Sequence, residues 1–357
     1  MQPLVSIIIP THRPGHFKTA LACALSQTYQ NTEIIVSDNS GGTEIAAICA
    51  GHPTVIYRKN DNGRIPSNIA QPLALAKGDY IKYLFDDDLI YPHCIDTMMT
   101  MMHHCGVEQQ AKVGLITSAR HLIDDANVCF AELREPDVEG TKLVDGNGAI
   151  KRMLISQDNF IGEFSTILFR RSLIDCDNPE SIFSVFGEEF PIGLVDVPLY
   201  LSILQKSNLL YIPFSLSAFR LHQAGGSNAA ANPNIHHTIS DWLRLARGGF
   251  EHGLMSPEEV RKAVGTFLQL TERHTERFGV QLAPSRQAAL VFLEELDRLA
   301  EGPSATEALP QAGSLPDHAY AVEDGRDAHS GDGRKSSESA TTVRSNRGWL
   351  RKLWQSE

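Results

Sequence analysis

Asp86-Asp87-Asp88 follows directly on an apolar run, Tyr80-Ile81-Lys82-Tyr83-Leu84-Phe85. Three adjacent carboxylates repel one another, and at the end of a buried strand they lack the water that would screen them. A hard divalent cation relieves that cost. Mg²⁺ or Mn²⁺ held by one or two carboxylates takes its remaining ligands from phosphates and water. The plainer alternative is a solvated acidic turn ahead of the helix near Pro92. Asp38 closes another apolar run, in Val36-Ser37-Asp38-Asn39-Ser40. Its carboxylate suits a ribose or a base N–H, but Asp-Asn-Ser-Gly is also a strong Asx-turn sequence. Asp196, in Leu194-Val195-Asp196-Val197-Pro198, reads on its own as a helix N-cap worth about 1 kcal/mol, with Pro in the first turn.

The elements that must position these acids are legible over residues 4 to about 118. Short apolar runs at Val5–Ile9, Glu33–Ser37, Thr54–Arg58, Tyr80–Phe85 and Val113–Thr117 read as strands buried on both faces. Helix-like segments lie between them at His16–Gln27, Glu44–Ala50, Ser67–Ala76 and Pro92–Cys105, the first with Leu21, Cys23, Ala24 and Leu25 as its apolar stripe. This alternation predicts a doubly wound, mostly parallel sheet, whose ligands sit in the crevice beyond the carboxyl ends of the strands. Neither GxGxxG nor GxxxxGK[ST] occurs, which argues against a dinucleotide oxidoreductase and a P-loop NTPase.

With 357 residues and a formal charge of -11, the chain suits one large domain with appendages, or two domains, and repels nucleic acid. No apolar run is long enough to span a bilayer, no secretory signal is expected, and six scattered cysteines without a CxxC pair fit a reducing, cytoplasmic compartment. Residues 119–230 read as mixed, with strands at Ser165–Phe169, Leu209–Ile212 and Ser215–Leu221 and a helix at Val197–Gln205. Ser256-Pro257-Glu258-Glu259 opens a helix expected to reach about Phe278, and another covers Ser285–Ala300. Residues 301–345 have the composition of a disordered linker. In residues 346–357, Trp349, Leu350, Leu353 and Trp354 share a helical face beside Arg347, Arg351 and Lys352. That pattern suits peripheral membrane contact, or else a partner-docking segment or frayed end.

Taken in order, five segments resemble family 2 glycosyltransferases of the GT-A fold. They are Val5-Ser6-Ile7-Ile8-Ile9-Pro10-Thr11-His12-Arg13, the run from Ala24 to Ser40, Asn62-Gly63-Arg64 with Asn68, Ala76-Lys77-Gly78-Asp79-Tyr80, and Phe85-Asp86-Asp87-Asp88-Leu89-Ile90-Tyr91-Pro92. The match covers about residues 4–225. It implies a GT-A domain over 1–230, with a nucleotide-binding half (1–118) and an acceptor half (119–230); residues 231–300, which it does not cover, read from their pattern as a helical extension. On this resemblance Thr11, Arg13, Asp38, Arg64, Asn68 and Asp86 line the nucleotide pocket. The triplet corresponds to the family's DxD. Counting back from Pro92 gives Asp87 and Asp88 as the later acids, and a plain DxD reading gives Asp86 and Asp88. Asp87 and Asp88 are taken as the metal pair, with His222, before Gly225-Gly226, meeting the metal or diphosphate. Asp196 takes the place of the family's catalytic base, with Val195 where Glu is commoner. Glu188 and Glu189 compete for that role.

The reaction so implied moves a sugar from a nucleotide-diphosphate donor, UDP-linked by expectation, to an acceptor hydroxyl with inversion, using Mn²⁺ or Mg²⁺. The acceptor would be a glycan or glycolipid of surface polysaccharide or glycoconjugate synthesis. The helices of 234–300 either cover the acceptor side or form a homo-oligomer interface. Two other classes fit parts of the pattern. A sugar nucleotidyltransferase would carry a Gly-rich basic loop after the first strand, which Pro10-Thr11-His12-Arg13-Pro14-Gly15 matches poorly. A non-catalytic nucleotide-sugar-binding protein would need no base.

Overall fold

A computed structural model describes residues 2–136, 138–221 and 232–301. The expected linker and terminal helix of 301–357 therefore lie, beyond Glu301, outside the described residues. The strands are β1 (Val5–Thr11), β2 (Thr32–Asp38), β3 (Val55–Lys59), β4 (Tyr80–Tyr83), β5 (Leu89–Ile90), β6 (Val113–Ile123), β7 (Cys129–Leu133), β8 (Lys142–Val144), β9 (Leu168–Arg170), β10 (Ser184–Val185), β11 (Glu188–Glu189) and β12 (Asn208–Arg220). The helices are α1 (Pro14–Leu25), α2 (Glu44–Ala50), α3 (Ile65–Ala70), α4 (Cys94–His104), α5 (Val107–Lys112), α6 (Gly146–Ser156), α7 (Val197–Leu204), α8 (Ile235–Glu251), α9 (Pro257–Arg273) and α10 (Thr275–Glu301).

The main sheet runs β3-β2-β1-β4-β9-β6-β12-β5, with β7 on β6 and β8 on β12. β3, β2, β1 and β4 are parallel, as are β6 and β12, while β9 and β5 run antiparallel. The chain builds outward from β1 through β2 to β3, then returns to place β4 on the other side of β1. That reversal makes the β1/β4 boundary a topological switch point, where the flanking connections part and leave a crevice.

Every residue of β1 is buried. Val5, Ile7 and Ile9 pack on one face with Phe17, Ala20, Leu21 and Ala24 of α1 and with α4, and Ile8 packs on the other with α3, α6 and α7. That second cluster continues into Trp242 of α8, Phe267 of α9 and Phe292 of α10. The C-terminal helices thus share the core of the sheet domain.

Several expected elements shift for local reasons. In α1, Phe17 joins the stripe in place of Leu25, which is exposed. The helix expected over Ser67–Ala76 breaks into α3 and a 3₁₀ turn (Gln71–Leu75), because Pro72 has no N–H to donate back to Asn68. Ser165–Phe169 divides into a 3₁₀ turn (Phe164–Thr166) and β9. The two strands expected at 209–221 are one strand, β12, which keeps its pairing through register shifts around Ser215. Ser256 caps α9 with the expected reciprocal box to Glu259. The helix ends at Arg273, and Phe278 interrupts α10 with φ -129° and ψ 19°.

Candidate functional site

The switch point joins the end of β1 to the acids after β4. Thr11 Oγ1 donates to Asp86 Oδ2 at 2.7 Å, and the His12 N–H donates to the same oxygen at 3.1 Å. Asn68, nearly buried on α3, donates from Nδ2 to the Thr11 carbonyl at 3.0 Å and accepts from Ser37 Oγ at 2.8 Å. It brackets the ends of β1 and β2. Asp38 is fully buried: Oδ1 accepts from the Ser40 N–H at 2.7 Å, and Oδ2 from Tyr57 Oη at 2.8 Å and Lys59 Nζ at 3.3 Å. The Asx turn is therefore formed, and both oxygens already hold protein donors. Arg13 stands at the start of α1 with Nε 2.6 Å from His12 Nε2, and Arg64 at the start of α3, 3.8 Å from Glu180. All six residues thus gather at one rim of the sheet.

In the triplet, Asp86 and Asp88 are buried and Asp87 is half-buried. Burial pushes the Asp86 carboxyl above the usual range, against the Thr11 bond that lowers it, and the Asp87 charge adds to the rise. Burial and then Asp87 push Asp88 well above it. Asp88 Oδ1 accepts the Arg220 N–H at 3.0 Å, and Arg220 Nε donates to the Asp87 carbonyl at 2.7 Å. The Arg220 guanidinium also reaches the Asp124 carbonyl and, at 2.6 Å, Asn127 Oδ1, so the end of β12 holds the triplet to the turn after β6.

These residues fit a hard divalent cation in kind. The donors are carboxylate oxygens, and Asp87 and Glu163 add negative charge around the buried Asp88. Among the described residues no three His, Cys, Asp or Glu converge as a closed ligand set. A cation here would take its remaining ligands from phosphate and water. His222 lies outside the described residues.

Asp196 sits at the N-cap position of α7 yet makes no side-chain capping bond. Its Oδ2 instead accepts from Asn159 Nδ2 at 2.8 Å. Burial pushes the carboxyl up to about 7, Glu163 pushes the same way, and neighbouring donors including Asn159 pull against them. A carboxylate with a pKa near neutrality is matched to accepting a proton from a hydroxyl. One turn along, Tyr200 Oη donates to the Gly162 carbonyl at 2.9 Å, which also accepts from Asn159 at 3.1 Å.

Glu163 connects the two acidic centres. It raises both Asp88 and Asp196, so it stands within electrostatic reach of each. The buried Arg120 of β6 holds it with Nε 2.6 Å from Oε2 and Nη2 3.1 Å from Oε1. Gly162 permits this pairing: its φ is +99°, and a Cβ there would lie 2.9 Å from the Arg120 guanidinium carbon. Lys82, fully buried in β4, donates to the Ser165 and Ile167 carbonyls at 2.5 and 3.1 Å and so pins the same loop against the sheet.

Sequence reasoning missed Asn159, Glu163, Arg120 and Arg220. The available signal was two polar residues flanking Phe160-Ile161-Gly162, in a segment otherwise apolar enough to be core. Of the competing acids, Glu188 is 2.6 Å from Arg244 of α8, and Glu189 is exposed. His103 and His104 are exposed on α4, as expected. His236 and His237 depart from expectation: they are partly buried, with ring centroids 4.1 Å apart.

The family model described as Glycosyl transferase family 2 matches residues 6–108. An uncharacterized glycosyltransferase of Rickettsia conorii is 35% identical over 280 residues, covering 76% of this chain and 42% of that protein. A GalNAc(5)-diNAcBac-PP-undecaprenol beta-1,3-glucosyltransferase of Campylobacter jejuni is 23% identical over 261 residues, covering 69% of this chain and 74% of the relative. A crystal structure of S. aureus TarS 1-349 in complex with UDP-GlcNAc superposes with a TM-score of 0.51 at 13% identity, covering 86% of this chain and 95% of that one. That likeness is one of fold. The chain spans less than half the length of the Rickettsia relatives it matches. Among the described residues no helix is long and apolar enough to cross a membrane.

Proposed function

Residues 6–108 are a glycosyl transferase family 2 segment on a GT-A fold, and on that premise we propose that the chain is an inverting glycosyltransferase using a nucleotide-diphosphate sugar. The observation that carries the reading is Asp196: a carboxylate raised to about 7, fixed by Asn159, and joined through Glu163 to the acidic rim at the switch point. A protein that only binds a nucleotide sugar has no use for a base so tuned.

The donor's nucleotide lies against the rim formed by Thr11, Arg13, Asp38, Arg64, Asn68 and Asp86, with Asp38 toward the base. Asp87 and Asp88 would hold a divalent cation, with His222 joining them. When bound, that ion supplies positive charge against the diphosphate leaving group. Asp196 accepts the proton of the acceptor hydroxyl. The acceptor oxygen forms the new bond to the anomeric carbon from the face opposite the leaving group. The old C–O bond breaks with its electron pair on the nucleoside diphosphate, so configuration inverts. Asp196 then returns its proton to solvent. Asn159 keeps the carboxylate aimed, and the Arg120–Glu163 pair keeps the intervening loop in place.

The donor is taken as a UDP-sugar, which is what the TarS complex contains, and the acceptor as a glycan or glycolipid, the class named for the Campylobacter relative. Membrane contact through residues 346–357 rests on the sequence pattern alone. The test is release of nucleotide from UDP-, GDP- and dTDP-sugars with Mn²⁺, with and without glycan acceptors. Acceptor-stimulated release from one donor class is expected. Binding of a donor without turnover under every condition would instead make the chain a nucleotide-sugar-binding protein.

A further inference from the structure

The loop that carries Asp196 is held from behind by α8. Asp241, 4% exposed, accepts the Leu194 N–H on Oδ2 at 3.2 Å, two residues before Asp196. Its Oδ1 accepts from Arg244 Nη1 at 3.0 Å. Arg244 in turn binds Glu188 Oε2 through Nε at 2.7 Å and the Glu189 carbonyl through Nη2 at 3.0 Å, with its guanidinium 4.3 Å from the Phe190 ring centroid. The β10–β11 hairpin and the loop that follows are thus gripped by two side chains one turn apart on one helix.

Gly193 shows how closely the loop is pressed. Its φ is +84°, and a Cβ there would meet Asp241 Oδ2 at 2.5 Å and the Thr238 nitrogen at 2.9 Å. The loop backbone therefore lies directly on the first turns of α8, and only glycine meets both the torsion and the space.

We propose that Asp241 and Arg244 are positioning residues that set the loop bearing Asp196, which makes the C-terminal helices part of the transfer machinery. This rests on the glycosyltransferase reading given above. Asp196 has Asn159 on one side, and on the other its backbone is fixed only two residues away by Asp241. The arrangement fixes where the carboxylate stands relative to the rim. The donor-binding residues lie on β1, β2, α3 and the β4 turn, none of which the clamp touches. Losing the clamp therefore acts on turnover and leaves donor affinity alone.

The experiment uses the full chain and three variants, Asp241→Ala, Asp241→Asn and Gly193→Ala. Two readouts are taken: amide hydrogen exchange of the segment around residues 191–197, and kcat with donor Kd for the donor found active with wild type. Asp241→Ala is expected to speed exchange at Leu194 at least tenfold and lower kcat about tenfold, with donor Kd within twofold. Asp241→Asn keeps an acceptor for the Leu194 N–H and should stay within about threefold of wild-type kcat. Gly193→Ala keeps every clamping group but displaces the loop, so it should lower kcat like Asp241→Ala. Unchanged exchange in Asp241→Ala overturns the clamp. Faster exchange with unchanged kcat overturns its role in transfer, as does an equal loss of donor affinity. Should Asp241→Ala not fold, Asp241→Asn and Gly193→Ala carry the same comparison. If wild type turns over no donor, the functional reading fails while the exchange data still decide the clamp.

Discussion

Asn159 Nδ2 lies 2.8 Å from Asp196 Oδ2 and 3.1 Å from the Gly162 carbonyl, so one amide nitrogen ties the proposed base to the loop bearing Glu163. The bond favours the charged carboxylate and opposes the burial that raises its pKa to about 7. Asp196→Asn should keep donor binding and abolish transfer. In wild type, turnover should climb with pH through about 7, because the base acts only when deprotonated. A kcat flat from pH 5.5 to 8.5 would remove Asp196 from that role.

Asn159→Ala deletes a donor to the charged form. Hydrogen bonds to charged groups are worth about 1.5–3 kcal/mol, so the ascending limb should move up by about one unit. The loss of rate should be about tenfold at pH 6 and should shrink above pH 8. A uniform loss at every pH would mean that the amide only packs.

Replacing Asp87 and Asp88 together with Ala removes the carboxylates assigned to the cation. Calorimetric titration with the donor should show Mn²⁺-dependent affinity in wild type and its loss in the double variant. EDTA should reproduce that loss reversibly. Equal donor affinity in all these states would count against the assignment.

Gly162→Ala forces a Cβ to 2.9 Å from the Arg120 guanidinium at a φ of +99°. Backbone strain and the clash together should cost about 3 kcal/mol of stability, readable by denaturant unfolding. A cost below about 1 kcal/mol would show that the loop relaxes freely.

Asp241 is raised to about 7, by burial first and against the pull of Arg244. Its folded pKa exceeds the unfolded value, so the native state binds the proton more tightly. That contribution to stability is complete below about pH 4 and drains away as pH rises through 7. Between those limits the slope is about 1.4 kcal/mol per pH unit for one such group. Asp241→Asn removes the titration, so its unfolding free energy should fall less steeply than that of wild type from pH 5 to pH 7. Parallel slopes would deny the raised value.

The N-terminal strands were readable where they bury both faces; β3, expected to do the same, lies at the sheet edge and is only partly buried. Val5–Thr11 and Thr32–Asp38 are apolar runs that no helix period explains, and their ends mark the rim. Asp38, Asn68 and Asp86 stood out in the sequence as candidates, but the bonds that hold them did not. Tyr57, Lys59 and Thr11 reach them from other strands, and pairing between strands leaves no local trace in sequence. Asn159 and Glu163 were hidden for the same reason: their importance comes from Asp196, 37 and 33 positions away. Lys82 was concealed within a strand that reads as continuous core, where the Ser165 and Ile167 carbonyls accept its buried hydrogen bonds. The end of α9 at Arg273 was missed because Phe278, an apolar residue at helical spacing, continues the pattern after the backbone has turned.

Trp242, Phe267 and Phe292 belong to the same packed interior as Tyr200 and Phe164 beside the proposed base. Anyone trimming the chain to a minimal catalytic fragment by cutting at the boundary suggested by family resemblance would strip one wall from that interior. The shortened product would aggregate rather than work more slowly, and useful trimming should begin beyond Leu296.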